Sequence, residues 1–163
     1  MTTNPSFSDD TLGYTVAQMR MLQRVDALMA AKKAHDVEAL LALYHPDCVL
    51  EQPSLGVRSQ GHGAIRPGLV AFAKFFPDYE RDFEGMAFDG PTLVSWGTAR
   101  LTLTGEFNGH VANGSRASVM TFVVFRFEDE RIIYEGHHWD LASICHQCGV
   151  PVEAVKPMGT TAR

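Results

Sequence analysis

The residues best suited to chemistry stand near the end of the chain, where an alternating run over 131–140 reaches His137, His138, Trp139 and Asp140. Side chains alternate between the two faces of a strand, so His138 and Asp140 share one face while His137 and Trp139 share the other. An imidazole and a carboxylate two positions apart can share or relay a proton near neutral pH. This spacing makes Asp140 and His138 candidates for proton transfer, at a strand end of the kind that commonly aims polar groups into a pocket.

Asp140 has two interpretations. At the mouth of an apolar cavity its carboxylate would lose contact with water, which raises its pKa toward the range useful for proton transfer. Alternatively, Asp140 caps the helix predicted to begin at Leu141 by accepting hydrogen bonds from free backbone N–H groups. At least one of His137 and His138 is interpreted as a structural rather than a catalytic histidine.

The elements that must position these residues follow from the periodicity of the apolar side chains. Helical spacing predicts a helix over 15–33, a second one capped by Asp36, and a third over 64–76. The period then changes to two, which is typical of strands. Strands are predicted over 48–52, 79–88, 92–107, 116–128 and 131–140, and a loop over 54–63.

Three helices followed by long neighbouring strands indicate an α+β fold in which a curved, mostly antiparallel sheet wraps around the helices. The inside of such a cone is a natural ligand cavity. We expect a single domain over 14–150, a mobile arm over 1–13 and an exposed tail over 151–163.

Composition excludes several function classes. The chain has 163 residues and a formal net charge of −5, with no basic stripe that could neutralise phosphates, so we expect neither a nucleic-acid nor a membrane partner. Its apolar runs are too short to span a bilayer. The three cysteines are an odd number, which favours reduced thiols and a cytoplasmic location over a disulfide framework.

Four stretches together resemble the NTF2-like superfamily, and within it the SnoaL-like polyketide cyclase group. They are HDVEALLALYHPDCVLEQP (35–53), FAKFFPDYE (72–80), LTGEFNGHVANGSR (103–116) and FRFEDERIIYEGHHWDLASICHQCGV (125–150). The resemblance implies a cone-shaped α+β fold that forms a homodimer or higher homo-oligomer through the outer face of the sheet. It also implies that Asp140 matches the aspartate that acts as general acid/base in the cyclases.

The same resemblance extends to two related enzyme groups whose catalytic residues are not matched. Where ketosteroid isomerases carry a catalytic aspartate and an oxyanion-hole tyrosine, this chain has Gln52 and Leu28. A leucine cannot donate a hydrogen bond to an enolate. Limonene-epoxide hydrolases need an arginine between two acids, and Arg100 is followed two positions on by Thr102 instead of an aspartate.

The chain also departs from the cyclases themselves, because Leu103 and Val123 stand where many SnoaL-like members have polar helper residues. Eight aromatic, polar or apolar residues are expected, from their positions, to contact a ligand inside the cone. They are Tyr44, Glu51, Phe72, Phe76, Trp96, Met120, Phe122 and Tyr134.

A C-x2-C pair, Cys145 and Cys148, invites a zinc interpretation, but no second pair of ligands follows at the required spacing. The sequence also lacks nucleotide-binding and serine-hydrolase motifs, so we expect no metal and no cofactor.

Three hypotheses remain open. The first is a cofactor-independent enzyme, a cyclase, isomerase, dehydratase or lyase, in which Asp140 and His138 move a proton on an apolar, oxygenated, ring-containing molecule. The second is a non-catalytic module that binds a ligand or a partner. The third is an epoxide hydrolase.

Overall fold

The structure is a computed structural model that describes residues 13–155. The predicted arm over 1–13, except for Gly13, and the end of the predicted tail, 156–163, lie outside the described residues.

Three helices lie in the first half of the described chain and two at its end. They are α1 (Val16–Ala34), α2 (Val37–Leu43), α3 (His62–Phe75), α4 (Leu141–Cys148) and α5 (Val152–Val155). Capping residues fix where they begin: the Thr15 hydroxyl accepts from the Gln18 amide, the Gln18 side chain accepts from the Thr15 amide, and the predicted cap Asp36 accepts from Ala39 N. Helix α1 ends at Ala34, because the next residue, His35, has a φ of 54° that breaks the helical path.

The strands alternate between buried and exposed side chains. They are β1 (Tyr44–Gln52), β2 (Val57–Gln60), β3 (Glu80–Arg81), β4 (Gly85–Asp89), β5 (Thr92–Thr102), β6 (Glu106–Phe107), β7 (His110–Val111), β8 (Arg116–Glu128) and β9 (Arg131–Trp139). The main sheet has the order β2-β1-β9-β8-β5-β3, with β4 also paired to β5. Only the β1–β9 pair is parallel among the described strands. The predicted α+β fold with a curved, mostly antiparallel sheet is confirmed.

The inner face of the sheet, which the helices cover, carries two groups of buried apolar side chains. One group centres on α1, α2 and β1 and includes Val25, Leu28 and Ile65. The other centres on α4 and α5 and includes Trp139, Ile144 and Phe76. Buried apolar area of this kind is the main favourable contribution to folding.

Several predicted boundaries differ from the observed ones. The predicted loop over 54–63 contains β2 and the start of α3, and the predicted strand over 92–107 ends at Thr102. The predicted strand over 79–88 is divided into β3 and β4, because the backbone between them passes over Gly97. A Cβ at Gly97 would lie 1.8 Å from Asp82 O, so only glycine allows this approach.

Part of the predicted exposed tail, within the described residues, is buried. Residues Val152–Val155 form α5, and Ala154 and Val155 are buried in the core. The Asn108 side chain donates to the Ala154 carbonyl at 3.2 Å, which fastens α5 to the loop between β6 and β7.

Candidate active site

Polar side chains are buried on the inner face of the sheet, between the two apolar groups. This inner polar cluster consists of Lys32, Tyr44, Arg81, Ser95, Thr121, Glu135 and His137. Burying polar and charged groups costs free energy unless they find partners, so such a cluster in a core of this size is a candidate functional site.

One half of the inner polar cluster is a buried ion pair with a third partner. Lys32 Nζ lies 2.8 Å from Glu135 Oε1, with 9% and 2% of the two side chains exposed. The Tyr44 hydroxyl donates to Glu135 Oε2. Burial and then the Glu135 charge raise the pKa of Tyr44 well above its ordinary value, so this hydroxyl stays protonated and acts as a donor.

The other half is organised around His137, which is 2% exposed. Its Nε2 lies 3.0 Å from Thr121 Oγ1, and the Thr121 hydroxyl proton is donated to the His138 carbonyl. The Thr121 oxygen can therefore only accept from His137, which places the imidazole proton on Nε2. The Nδ1 atom has no hydrogen-bond partner among the described residues, so a lone pair faces the interior.

The charge state of His137 follows from its surroundings. Burial, and then the positive charges of Lys32 and Arg81, hold the pKa of His137 well below its ordinary value. The imidazole is therefore neutral at physiological pH and can accept a proton at Nδ1.

Aromatic rings surround His137 on its apolar side. The centroid of the Trp139 ring lies 4.6 Å from that of His137, and the Tyr79 centroid lies 6.0 Å away. Phe72 stacks on Trp139 with centroids 6.3 Å apart and ring planes 11° apart, and Phe76 meets Trp139 edge-on. These rings form an apolar wall beside the basic nitrogen.

Three of the residues predicted to contact a ligand lie in the interior: Tyr44 is on the inner face of β1, whereas Phe72 on α3 and Phe76 at its end pack toward that face. Tyr44 belongs to the inner polar cluster, and the two phenylalanines belong to the aromatic wall beside His137. Their contact with a ligand stays a prediction.

The predicted catalytic pair, His138 and Asp140, lies outside the inner polar cluster. The prediction that they share one face and that His137 and Trp139 share the other agrees with the structure, but the inner face is that of His137 and Trp139. Both His138 and Asp140 are exposed, and His138 lies opposite Phe122 on the outer face.

Asp140 is the N-cap of α4. Its carboxylate accepts from Ser143 N at 3.1 Å and from Ser143 Oγ at 2.6 Å. Those hydrogen bonds hold the pKa of Asp140 below its ordinary value, so the expected raised pKa is wrong. The reason is that Asp140 is exposed just after β9 ends, so its hydrogen bonds to Ser143 outweigh the effect of desolvation.

The remaining predicted ligand contacts also lie away from the inner face, because alternation turns them outward. These residues are Glu51, Trp96, Met120, Phe122 and Tyr134. Met120 and Phe122 are 47% and 48% exposed. The Tyr134 hydroxyl donates to Glu51 at 2.9 Å. The expectation that they line the cone is therefore corrected.

Sequence reasoning missed Lys32, Arg81, Thr121 and Glu135. Glu135 stands two positions before His137, so the same alternation that pairs His137 with Trp139 could have placed it on the inner face. The sequence signal for Glu135 was a charged residue at a strand position whose alternating neighbours are buried.

Other site types gain no support from the described part of the chain. Among residues 13–155, no group of three or more His, Cys, Asp or Glu side chains is arranged to hold a metal ion. Cys145 and Cys148 are free thiols buried in α4, and burial raises the pKa of Cys145 to about 11. No helix in this range is long and apolar enough to cross a membrane.

Comparison with known proteins identifies the family. The SnoaL-like domain profile matches residues 25–135 of the 163-residue chain. The chain belongs to the SnoaL-like domain family. No curated protein sequence matches this SnoaL-like chain.

Solved structures share the fold of this SnoaL-like domain. A proposed SnoaL-like polyketide cyclase from Jannaschia sp. CCS1 has a TM-score of 0.72 at 16% identity, covering 85% of this chain and 97% of the other. IdmH, a proposed polyketide cyclase from Streptomyces antibioticus, has 0.65 at 24% identity, covering 78% and 97%. An epoxide hydrolase of M. tuberculosis that resembles limonene-epoxide hydrolases has 0.63 at 16% identity, covering 86% and 95%. Likeness at these identities shows the NTF2-like cone fold alone.

Proposed function

We propose that this SnoaL-like domain is a cofactor-independent acid/base enzyme acting on an apolar, oxygenated, ring-containing molecule inside the cone. His137, instead of the predicted pair Asp140 and His138, is the proton-transfer group. The observation that carries this proposal is the state of His137: it is buried and neutral, its proton is held on Nε2 by Thr121, and Nδ1 is free to accept.

The chemistry follows from that lone pair. Nδ1 removes a proton from a carbon next to a carbonyl group, and the electron pair of the broken C–H bond moves to the carbonyl oxygen, which becomes an enolate. The enolate charge beside the new imidazolium stabilises it and raises the pKa of His137 at the moment of transfer. Return of the proton to another carbon gives isomerisation, and its transfer to a departing hydroxyl group gives dehydration.

The aromatic wall supports the expected substrate class. Flat rings such as those of Phe72 and Trp139 pack well against other rings. They also exclude water from Nδ1, which strengthens electrostatic interactions at the reacting atoms. Since Phe72 now stacks on Trp139, a ligand reaches His137 by displacing the partly buried Phe72 ring.

The test is proton exchange on a model ketone. 2-Tetralone in D2O exchanges its acidic C–H protons slowly, and proton NMR follows the exchange. We expect the wild-type protein to accelerate exchange and His137→Gln to lose that acceleration by about 100-fold or more. Asp140→Asn and His138→Asn are matched controls on the outer side and should retain it. Loss of exchange in these controls but not in His137→Gln would overturn the assignment.

A second candidate function, a non-catalytic binding module, is favoured by the apolar character of other inner positions. Leu28, Leu103 and Val123, which stand where relatives carry catalytic groups, are all buried. Binding of 2-tetralone without exchange above that of His137→Gln would support this candidate.

We also propose that two copies of the chain associate through the outer face of the sheet. This face carries Trp96 beside Phe122 in register, with Met120 next to them. Met120 and Phe122 are about half exposed, and neighbouring exposed apolar side chains are typical of a surface that binds another protein. A two-fold axis would place the same patch of each copy on the other.

A reducing, cytoplasmic compartment suits the free thiols Cys48, Cys145 and Cys148.

A further inference from the structure

Among the described residues, no carboxylate contacts the buried guanidinium of Arg81. The residue is 2% exposed, and its Nη2 donates to Ser95 O at 2.8 Å and to Ser95 Oγ at 2.9 Å. Its guanidinium carbon lies 4.6 Å from the centroid of the Phe83 ring. All these partners are uncharged, and the Nε atom has no hydrogen-bond partner within residues 13–155.

Nearby acids are already paired with other cations. Glu135 bonds to Lys32 and Tyr44, as described above. The sequence neighbours of Arg81 are turned away from it: Asp82 pairs with Arg100, and Glu80 pairs with Arg116. The inner polar cluster thus holds two cations and one anion, while His137 is neutral. A buried arginine remains charged, so the interior carries an excess positive charge that an anion would balance.

A second donor lies in the same region. Trp139 is 7% exposed, and its indole Nε1 has no hydrogen-bond partner among the described residues. Its ring is in contact with that of His137. Strand register brings the Arg81 side chain toward His137. The Arg81 backbone pairs with Ala99, and its side chain extends along β5 to Ser95. Ser95 is opposite Val123 on β8, which in turn is opposite His137 on β9.

We infer that Arg81 Nε and Trp139 Nε1 bind an anionic oxygen of the ligand next to His137. The ligand class is an aromatic or alicyclic molecule that carries either a carboxylate or an acidic enol oxygen. This inference deepens the proposed function and rests on it, since it assigns the charge of the molecule on which His137 acts. Charge-assisted hydrogen bonds from a guanidinium suit such an oxygen.

The experiment compares three naphthalene probes that differ in charge. Isothermal titration calorimetry gives the dissociation constants of 2-naphthoate, 2-naphthol and the neutral ketone 2-acetonaphthone. We expect 2-naphthoate to bind the wild-type protein about tenfold or more tightly than the ketone, which corresponds to an ordinary charge-assisted contact. The absorbance of bound 2-naphthol distinguishes the two oxygen sources, because a naphtholate spectrum indicates that an acidic enol oxygen is also accepted.

Variants test which residues cause the preference for naphthoate over the ketone. In Arg81→Gln the affinity ratio of naphthoate to ketone should fall toward one, and Arg81→Lys should retain part of it. Arg100→Gln, which changes an arginine paired with Asp82 on the sheet exterior, is the matched control and should leave the ratio unchanged. Trp139→Phe retains an aromatic ring but removes the indole N–H together with the second ring of the indole. The lost ring contact affects naphthoate and ketone alike, so the ratio reports the N–H and should fall severalfold; this variant serves if Arg81→Gln does not fold, as judged by circular dichroism.

The outcomes separate the two proposals. A ratio near one in the wild-type protein, or an equal ratio in wild type, Arg81→Gln and Trp139→Phe, overturns the anion site and leaves the His137 chemistry standing. An Arg81-dependent preference together with no 2-tetralone exchange supports the anion site and overturns the acid/base function. Failure of all three probes to bind overturns the anion site, and exchange of 2-tetralone then decides the acid/base function by itself.

Discussion

His137 Nε2 and Thr121 Oγ1 lie 3.0 Å apart in the interior of the cone, and both residues are buried. Because the Thr121 hydroxyl donates to the His138 carbonyl, the contact with His137 fixes one imidazole tautomer. The Thr121 side chain on β8 thus links the His137 ring to the backbone of His138. A substitution at Thr121 therefore affects His137 Nδ1 indirectly, through the proton on Nε2.

Thr121→Val is expected to weaken that control. Valine has nearly the same shape as threonine but cannot accept a hydrogen bond from Nε2–H. The substitution therefore removes the contact that favours the Nε2–H tautomer of His137. Nitrogen-15 NMR of the His137 ring should show the Nε2–H tautomer in wild type and a loss of that preference in Thr121→Val. Exchange of 2-tetralone should fall about tenfold or more. Thr121→Ser keeps the oxygen and should behave as wild type; an unchanged tautomer in Thr121→Val would contradict the assignment.

The stability of the protein should decrease as the pH falls below the ordinary pKa of histidine. The pKa of His137 is held well below 6.5 by burial, Lys32 and Arg81, so in this range the unfolded chain binds a proton that the folded chain does not. Stability is therefore fully present above about pH 6.5 and is lost toward the lower folded pKa, by up to about 1.4 kcal/mol per pH unit.

Urea unfolding between pH 5 and pH 8 measures this loss. In His137→Gln the free energy of unfolding should depend less steeply on pH between 5 and 6.5, since the buried group that resists protonation is gone. His138→Gln, which changes the exposed neighbour, is the control and should keep the wild-type slope. Identical slopes for wild type and His137→Gln would show that His137 is not buried as a neutral group.

The buried ion pair should be costly to break from one side. Glu135→Gln leaves the Lys32 ammonium buried without a counter-charge, and this is expected to lower the free energy of unfolding by about 3–5 kcal/mol. The double change Lys32→Met with Glu135→Gln should cost less than the sum of the single changes, because it removes the unpaired charge. Arg58→Ala, which breaks the surface contact with Glu51, should cost less than about 1 kcal/mol. Additive single and double effects would argue against coupling.

Much of the fold could be predicted from local signals. The strand over 116–128 and the cap at Asp36 agree with the observed β8 and α2, because alternation and capping depend on residues close in sequence. Strand interruptions such as that at Gly97 depend on a backbone passing close by, which no local pattern contains.

The site was harder to predict for a related reason. Alternation assigns His137 and Trp139 to one face and His138 and Asp140 to the other, but which face turns inward is decided by packing against the helices. The hydrogen-bond partner of the buried Arg81 side chain is Ser95 on another strand, and charged residues are usually exposed, so the residue type pointed to the surface.

Asp140 provides a direct test of the two interpretations of the strand end. As a helix cap, it should tolerate Asp140→Asn, since asparagine caps equally well, whereas Asp140→Ala should lower the melting temperature by a few degrees. Neither change should affect exchange of 2-tetralone. Loss of exchange in both variants, with the melting temperature of Asp140→Asn unchanged, would restore Asp140 as the acid/base group.

The outer face of the sheet should determine the oligomeric state. Phe122 is about half exposed beside Trp96, and Phe122→Glu would bury a charge in the proposed contact between two copies. Light scattering after size-exclusion chromatography should give the mass of a dimer for wild type and of a monomer for Phe122→Glu. Val70→Glu, at an exposed apolar residue on α3, is the control and should remain dimeric. A monomeric wild type, or a dimeric Phe122→Glu, would exclude this face as the contact, and Met120 and Phe122 would then be exposed apolar side chains without a structural explanation.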